Sequence, residues 1–347
     1  MRKILMAGAM LAASLTLTTF SVSLFAAESG VASKTKSSKS AAKKSRVKKT
    51  ISSTHASRTH ASSKRIVRHH AKNWENAELD VGSGPLKLAS SAAMVFDENN
   101  DKPLFAKNAT AMQPIASITK LMTAMVVLDA QLPMDEYLTV ENADVDTLRN
   151  SGSRLGVGTV LTRTEMLRLA LMSSENRAAS ALGRTYPGGI NAFVAAMNRK
   201  AASLGMLHSR FVDSSGLHSQ NVSTAEDLVK MVTAGYRYDL IREYTTTSNY
   251  GVSLSNSGRS LEFNNTNALV KNKSKDWDIG LSKTGYISEA GRCLVMHVNI
   301  SNRPVVIVLL DSIGKFTRIG DANRIKKWVE NNQNGSVAAS RKSSNDV

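Results

Sequence analysis

The chain opens on an apolar run, crosses a long stretch almost without large apolar residues, and then settles into regularly patterned segments. Ile4 to Ala27 is uncharged and largely apolar, follows Met1-Arg2-Lys3 and ends in small residues before Glu28. A short positive start, an apolar middle and a small-residue end predict a secretory signal peptide over 1–27, cleaved near Ala26 or Ala27. An uncleaved membrane anchor competes, because the uncharged segment is 24 residues long and that length can span a bilayer. Its Ser and Thr content and its Ala-Ala end favour cleavage. Residues 28–84 cannot bury enough apolar surface to offset the entropy of ordering them, so a disordered linker is expected there.

Periodic patterning starts near Pro85. Ala92–Asp97 and Pro103–Ala106 read as two strands around the polar turn Glu98–Asp101, which makes a hairpin. Pro114 rules out a preceding helix. Ser117–Ala130 predicts a helix whose apolar residues, Ile118, Leu121, Met122 and Met125 to Leu128, nearly encircle it, so it belongs inside the protein. Thr139–Leu161 is rich in turns. Arg163–Leu182 reads as one or two helices, and Ile190–Leu204 and Thr224–Gly235 as two more. Gly205 ends the first of these, and the capping-box-like Thr224-Ala225-Glu226-Asp227 begins the second.

Ile279–Tyr286, Cys293–Ile300 and Pro304–Leu310 are apolar runs whose short links require antiparallel neighbours. A closing helix, Phe316–Val329, precedes a polar tail. Hairpin first, helices in the middle and strands last predict one α+β domain over 85–332. Its antiparallel sheet is built from both chain ends around an inserted helical region. A disordered tail is expected over 333–347.

The net charge of +17 in 347 residues suggests a nucleic-acid partner until it is divided along the chain. Residues 31–72 hold 13 Lys or Arg and no Asp or Glu, whereas 73–347 hold 30 against 27, so the basicity belongs to the linker. Such a tract is either a solvated spacer or a tether to anionic envelope polymers or a membrane surface. Export and the lack of any aromatic residue for base stacking speak against nucleic acid. His55, His60, His69 and His70 have no metal-site spacing, and a single cysteine, Cys293, excludes internal disulfides and paired-thiolate metal sites. Cys293 reads as a small core residue of a strand. Gly156-Val157-Gly158 lacks the third glycine and the strand of a dinucleotide fingerprint. No cofactor or metal is implied.

Ser117 and Lys120 stand three apart at the start of the buried helix, so the amine can reach the hydroxyl. Ser33, Ser40, Ser45 and Ser312 also begin Ser-x-x-Lys, but the first three lie in the linker and Ser312 in a strand-to-helix connection. At Ser117 a helix N-terminus favours a developing alkoxide. Burial disfavours the ammonium of Lys120, whose unperturbed pKa is about 10.4. The plain alternative is a lysine snorkelling from a core helix.

Two further elements change that balance. Ser174-Glu175-Asn176 follows Ser117 by 57 residues between helical runs, and Lys283-Thr284-Gly285 follows Asn176 by 107 in a strand. In order and setting these match the Ser-x-x-Lys, Ser-x-Asn and Lys-Thr-Gly set of penicillin-binding proteins and serine β-lactamases. Ser219-Gln220-Asn221, in a polar loop, is the second-ranked Ser-x-Asn. In the chemistry these parts imply, Ser117 attacks a carbonyl with Lys120 as base. Ser174 relays a proton to the leaving amine, and Asn176 orients Lys120 and holds a substrate amide. Lys283 adds a cation that lowers the pKa of Lys120 and attracts a carboxylate. Gly285 admits a substrate backbone, and Thr284 and Tyr286 complete the binding strand. The backbone N–H groups of Ser117 and Tyr286 form an oxyanion hole.

Residues 85–330 resemble the low-molecular-mass penicillin-binding proteins, the D-alanyl-D-alanine peptidases. Asp213–Leu217, Ser223–Leu228 and Ala290–Met296 carry the likeness further, the last pointing to the endopeptidase branch, penicillin-binding protein 7/8 type. The resemblance implies a serine β-lactamase/DD-peptidase-like fold and hydrolysis of D-Ala-to-diaminopimelate cross-links in periplasmic peptidoglycan. It also implies β-lactams as covalent inhibitors. Only a short polar segment follows the last helix, which fits neither the added β-rich domain nor the amphipathic anchor of carboxypeptidase relatives, so the endopeptidase is favoured over the carboxypeptidase. Glu175, at a position often Gly or Asp, is a small departure, and the basic linker is not expected of the family.

A class A β-lactamase is disfavoured because no Glu-x-x-Leu-Asn lies between Asn176 and Lys283. Ser-His-Asp and His-Glu-x-x-His enzymes are disfavoured by missing motifs, with His208, His218 and His297 expected at the surface or in caps. A wall-binding scaffold is disfavoured by the intact serine-lysine pair.

Overall fold

The computed structural model describes residues 86–254 and 258–343. The expected signal peptide and linker lie outside the described residues. The chain order is β1 (Ala92–Asp97), β2 (Lys102–Lys107), β3 (Gln113–Pro114), a 3-10 turn (Ala116–Ile118), α1 (Thr119–Asp129) and β4 (Tyr137–Thr139). A second 3-10 turn (Asn142–Asp144), β5 (Val160–Thr162), α2 (Arg163–Met172), α3 (Asn176–Arg184) and α4 (Gly189–Ser203) follow. Then come β6 (Val222–Ser223), α5 (Ala225–Gly235), α6 (Asp239–Thr246), β7 (Asn249–Ser253), β8 (Ser260–Asn264) and α7 (Ala268–Lys271). The long strands β9 (Asp278–Ile287), β10 (Gly291–Ile300) and β11 (Arg303–Ser312) precede α8 (Thr317–Ser343).

One antiparallel sheet in the order β2-β1-β11-β10-β9 joins the N-terminal hairpin to the last three strands. Alternate residues of its inner strands face opposite sides, and both sides are covered. Met94, Val295, Val306 and Val308 pack with Leu121, Met125, Leu228 and Val232 of α1 and α5. Ala93, Val95, Leu294 and Ile307 pack with Ala322, Ile325 and Val329 of α8. That is why β10 and β11 read as continuous apolar runs rather than alternating ones. Asp321 of α8 accepts bonds from the Ser90 nitrogen at 2.8 Å and the Ser90 hydroxyl at 2.6 Å, pinning the segment that enters β1.

α1 is buried on all sides, Lys120 included. Each fully buried Leu or Met there contributes about 1.5–3 kcal/mol. The segment 163–182, read as one or two helices, is two, broken at Ser173–Glu175. Ser174 has φ +60°, a left-handed conformation that a helix cannot contain.

Other expectations need correction. The helix expected from Ser117 begins instead with a 3-10 turn, because Ala116 enters it at φ +48°. α8 runs to Ser343 rather than ending at Val329. Val329 is the last buried residue among those whose burial is described, but no proline follows to stop the helix, so part of the expected tail is helical. Ser312 ends β11, buried, its hydroxyl 2.7 Å from that of Ser90. His297 is also buried, because it takes an inward position of β10. It stacks on Tyr236 with centroids 3.5 Å apart and meets Glu98 at 2.6 Å.

Candidate active site

Ser117 is half-buried between the fully buried Ala116 and Ile118. Left-handed backbone at Ala116 is costly for a residue with a Cβ, and two glycines clamp the turn. A Cβ on Gly216, itself at φ +82°, would lie 2.0 Å from the Ala116 carbonyl oxygen. One on Gly285 would lie 2.8 Å from the Ile115 oxygen and 3.2 Å from the Ser117 nitrogen. The turn that carries Ser117 thus fills the space on the Cβ side of Gly285. The cause is that β9, the edge strand, packs directly on this turn.

Lys120 Nζ lies 2.9 Å from Ser117 Oγ, 2.8 Å from Asn176 Oδ1 and 2.6 Å from the Ser215 carbonyl oxygen. The Asn176 and Ser215 oxygens can only accept, so they occupy two N–H groups of the amine. In the neutral form its lone pair is then left for the Ser117 hydroxyl. Asn176, first residue of α3, is oriented by its own Nδ2, which donates to Ser151 Oγ at 3.0 Å. Burial lowers the pKa of Lys120 to about 7, against the charges of Asp213 and Glu175, which favour the ammonium.

Lys283 projects from β9, fully buried, and donates to Ser174 Oγ and to the Thr284 carbonyl oxygen, each at 2.9 Å. Burial, then the charges of Lys120 and Arg318, push its pKa well below the usual lysine value. Repulsion between two ammonium groups is reciprocal, but burial is the largest cause at each. The sequence names burial as a cause at Lys120 and adds Lys283 as a second cation; burial is the largest cause at Lys120, and the charges acting on it are those of Asp213 and Glu175. Thr284 is buried, its hydroxyl donating to that of Thr266 at 2.7 Å, and Tyr286 is exposed with the Arg292 guanidinium 4.5 Å from its ring centroid.

Ser117, Lys120 and Asn176 therefore form one hydrogen-bonded group and Ser174 and Lys283 a second, near enough for the Lys120 charge to act on Lys283, with Thr284, Gly285 and Tyr286 along the same strand. Asn221 of the rival Ser-x-Asn is elsewhere. It is fully buried, donates to Asp213 Oδ2 at 2.8 Å and accepts from the Val212 nitrogen at 2.9 Å, holding its own loop together.

Sequence reasoning missed several members. Ser215 presents its carbonyl to Lys120 because Asp213 Oδ1 gathers the Ser215 and Gly216 nitrogens at 2.7 and 2.6 Å. The Thr123 hydroxyl donates to the Ser214 carbonyl oxygen at 2.6 Å, tying this turn to α1. The turn chemistry of Asp-Ser-Ser-Gly was the available signal. Arg149 bonds the Leu217 carbonyl oxygen and pairs with Glu289 at 2.8 Å, linking three loops around the cluster. Arg318 of α8 lies near enough to Lys283 to act on its pKa, and its Nε and Nη1 are buried without a partner among the described residues. No local pattern marked either arginine.

Comparison with known proteins agrees with this geometry. The family Peptidase S11, described as D-alanyl-D-alanine carboxypeptidase, matches residues 76–314. The chain is 48% identical over 256 residues to a D-alanyl-D-alanine endopeptidase of Pseudomonas aeruginosa, covering 74% of this chain and 82% of that protein. It is 47% identical over 244 residues to the D-alanyl-D-alanine endopeptidase of Escherichia coli, covering 70% and 78%. The crystal structure of the Streptomyces K15 DD-transpeptidase superposes with a TM-score of 0.65 at 27% identity, covering 70% of this chain and 97% of that one. The chain belongs to the Peptidase S11 family and is a serine DD-peptidase of the penicillin-binding class.

Proposed function

We propose that this protein is a D-alanyl-D-alanine endopeptidase that hydrolyses D-Ala-to-diaminopimelate cross-links of peptidoglycan through an acyl-enzyme on Ser117. The observation that carries the chemistry is the Lys120 amine, buried and held by two acceptor-only oxygens while 2.9 Å from Ser117 Oγ. Neutral Lys120 takes the Ser117 proton as Oγ attacks the D-Ala carbonyl. The Ser117 and Tyr286 N–H groups are the donors for the oxyanion. As the tetrahedral intermediate collapses, the diaminopimelate nitrogen leaves with a proton relayed by Ser174. Water then attacks the ester and releases Ser117. Asn176 orients Lys120. Lys283, Thr284 and Arg318 supply positive charge and a hydroxyl for the carboxylate beside the scissile nitrogen.

The endopeptidase reading is favoured over carboxypeptidase action by the two relatives near half identity, both named endopeptidases. The same chemistry makes β-lactams covalent inhibitors. We place the enzyme in the periplasm, exported by residues 1–27, with the basic tract 31–72 as a tether to anionic envelope polymers or membrane surface. Digestion of purified cross-linked muropeptides by the wild type and Ser117→Ala, read by mass spectrometry, tests the reading. Dimers should become monomers only with the wild type, whereas persisting dimers with release of free D-Ala would replace it by carboxypeptidase action.

A further inference from the structure

Ser173 and Glu175, the neighbours of Ser174, line a pocket of about 340 Å³ with Gly152, Ser153, Arg154 and Phe263. Ser174 bonds Lys283, and Thr266, three residues beyond Phe263, bonds Thr284. Two segments of the pocket wall are thus tied to Lys283 and Thr284 of β9, the strand that packs on the Ser117 turn. The pocket carries two opposite charges. Glu175 is only 8% exposed, and its oxygens accept from the Ser153 hydroxyl at 2.9 Å each and from the Arg154 nitrogen at 3.3 Å. A carboxylate offers about four lone-pair sites, so Glu175 retains acceptor capacity. It forms no salt bridge among the described residues, so no side-chain cation closes it off from a ligand ammonium. Arg154 lies 3.9 Å over the Phe263 ring centroid and donates to the Glu262 carbonyl oxygen. Those contacts fix the guanidinium plane and leave most of its N–H fork available. Arg154 has no carboxylate partner among the described residues either.

We propose that this pocket binds the free zwitterionic end of the diaminopimelate residue in the donor stem, the residue preceding the D-Ala whose carbonyl is attacked. This rests on the endopeptidase reading above. The ammonium of that end meets Glu175, its carboxylate meets Arg154, and Phe263 supplies the apolar wall. A lysine in the same place offers the ammonium alone, and an amidated diaminopimelate has lost the anionic group, so each leaves Arg154 unanswered. Sites built around a polar group discriminate strongly against analogues that lack it.

The test compares two muropeptide dimers that differ only in the donor stem, one with free diaminopimelate and one with its carboxamide. The full-length wild type should cleave the free form with kcat/KM about tenfold higher or more. Arg154→Ala should collapse that ratio towards one, and Arg154→Lys, which keeps the charge, should restore part of it. Circular dichroism establishes that the variants are folded, and the substrate comparison with wild type needs no variant. Equal cleavage of both dimers by the wild type, or an unchanged ratio in Arg154→Ala, would overturn the pocket assignment and leave the endopeptidase standing. Cleavage of neither dimer by the wild type would overturn both.

Discussion

The pH dependence of Ser117 acylation follows from the burial of Lys120. A lysine with the usual pKa of about 10.4 is neutral in roughly one molecule in 2,500 at pH 7. With the pKa at about 7, half the molecules hold the free base at that pH, a gain of about 10³. Below the midpoint the neutral fraction falls about tenfold per unit, to roughly one-tenth at pH 6 and one-hundredth at pH 5. The rate of acylation by a fluorescent penicillin, measured by stopped flow between about pH 5 and pH 9, should trace that curve. Glu175→Gln removes a charge that favours the ammonium, so the midpoint should move down. A rate flat through neutrality, a midpoint near 10, or an upward shift in Glu175→Gln would refute the reasoning. Stability carries the same signature. Between about 7 and about 10.4 the unfolded chain keeps a proton that folded Lys120 has lost, so stability should rise with pH across that window. The full difference for Lys120 is about 5 kcal/mol, and the lowered pKa of Lys283 acts in the same direction.

Gly216→Ala should destabilise the protein by about 2–4 kcal/mol in urea unfolding and slow acylation, because the new carbon would lie 2.0 Å from the Ala116 oxygen. Gly156→Ala, whose added carbon meets nothing closer than 4.0 Å, is the control. Arg318→Met should raise KM for a substrate bearing the free carboxylate about tenfold, with a smaller change in kcat; an unchanged KM would remove Arg318 from the carboxylate site. Burial pushes the Cys293 thiol up to about 11, so iodoacetamide should label it in denaturant and not in the native protein, and rapid native labelling would contradict its placement.

The parts legible in the sequence are those that repeat a short-range rule. The apolar runs of β9, β10 and β11, the hairpin at Ala92–Lys107 and the all-round apolar α1 announce themselves, and the spacing of three motifs singles out Ser117 from four other serines in Ser-x-x-Lys. The illegible parts depend on contacts between distant segments. The β7–β8 hairpin buries chiefly Val252 and Phe263, too few positions to set a period. His297 looks like a polar interruption of a strand until Glu98, nearly 200 positions away in the chain, supplies its partner. The Ser215 carbonyl that holds Lys120 is backbone, so no residue type could have marked it. The turn carrying Ser117 approaches Gly285 closely, and a glycine in a strand signals such an approach without naming the partner.

The central claim is that Ser117 is the nucleophile. Benzylpenicillin should add one penicilloyl group to the intact protein, lost slowly. Tryptic mapping should place it on the Asn108–Lys120 peptide, where Ser117 is the only serine. Ser117→Ala should take up none. An adduct on any other peptide, or one that persists in Ser117→Ala, would contradict the account.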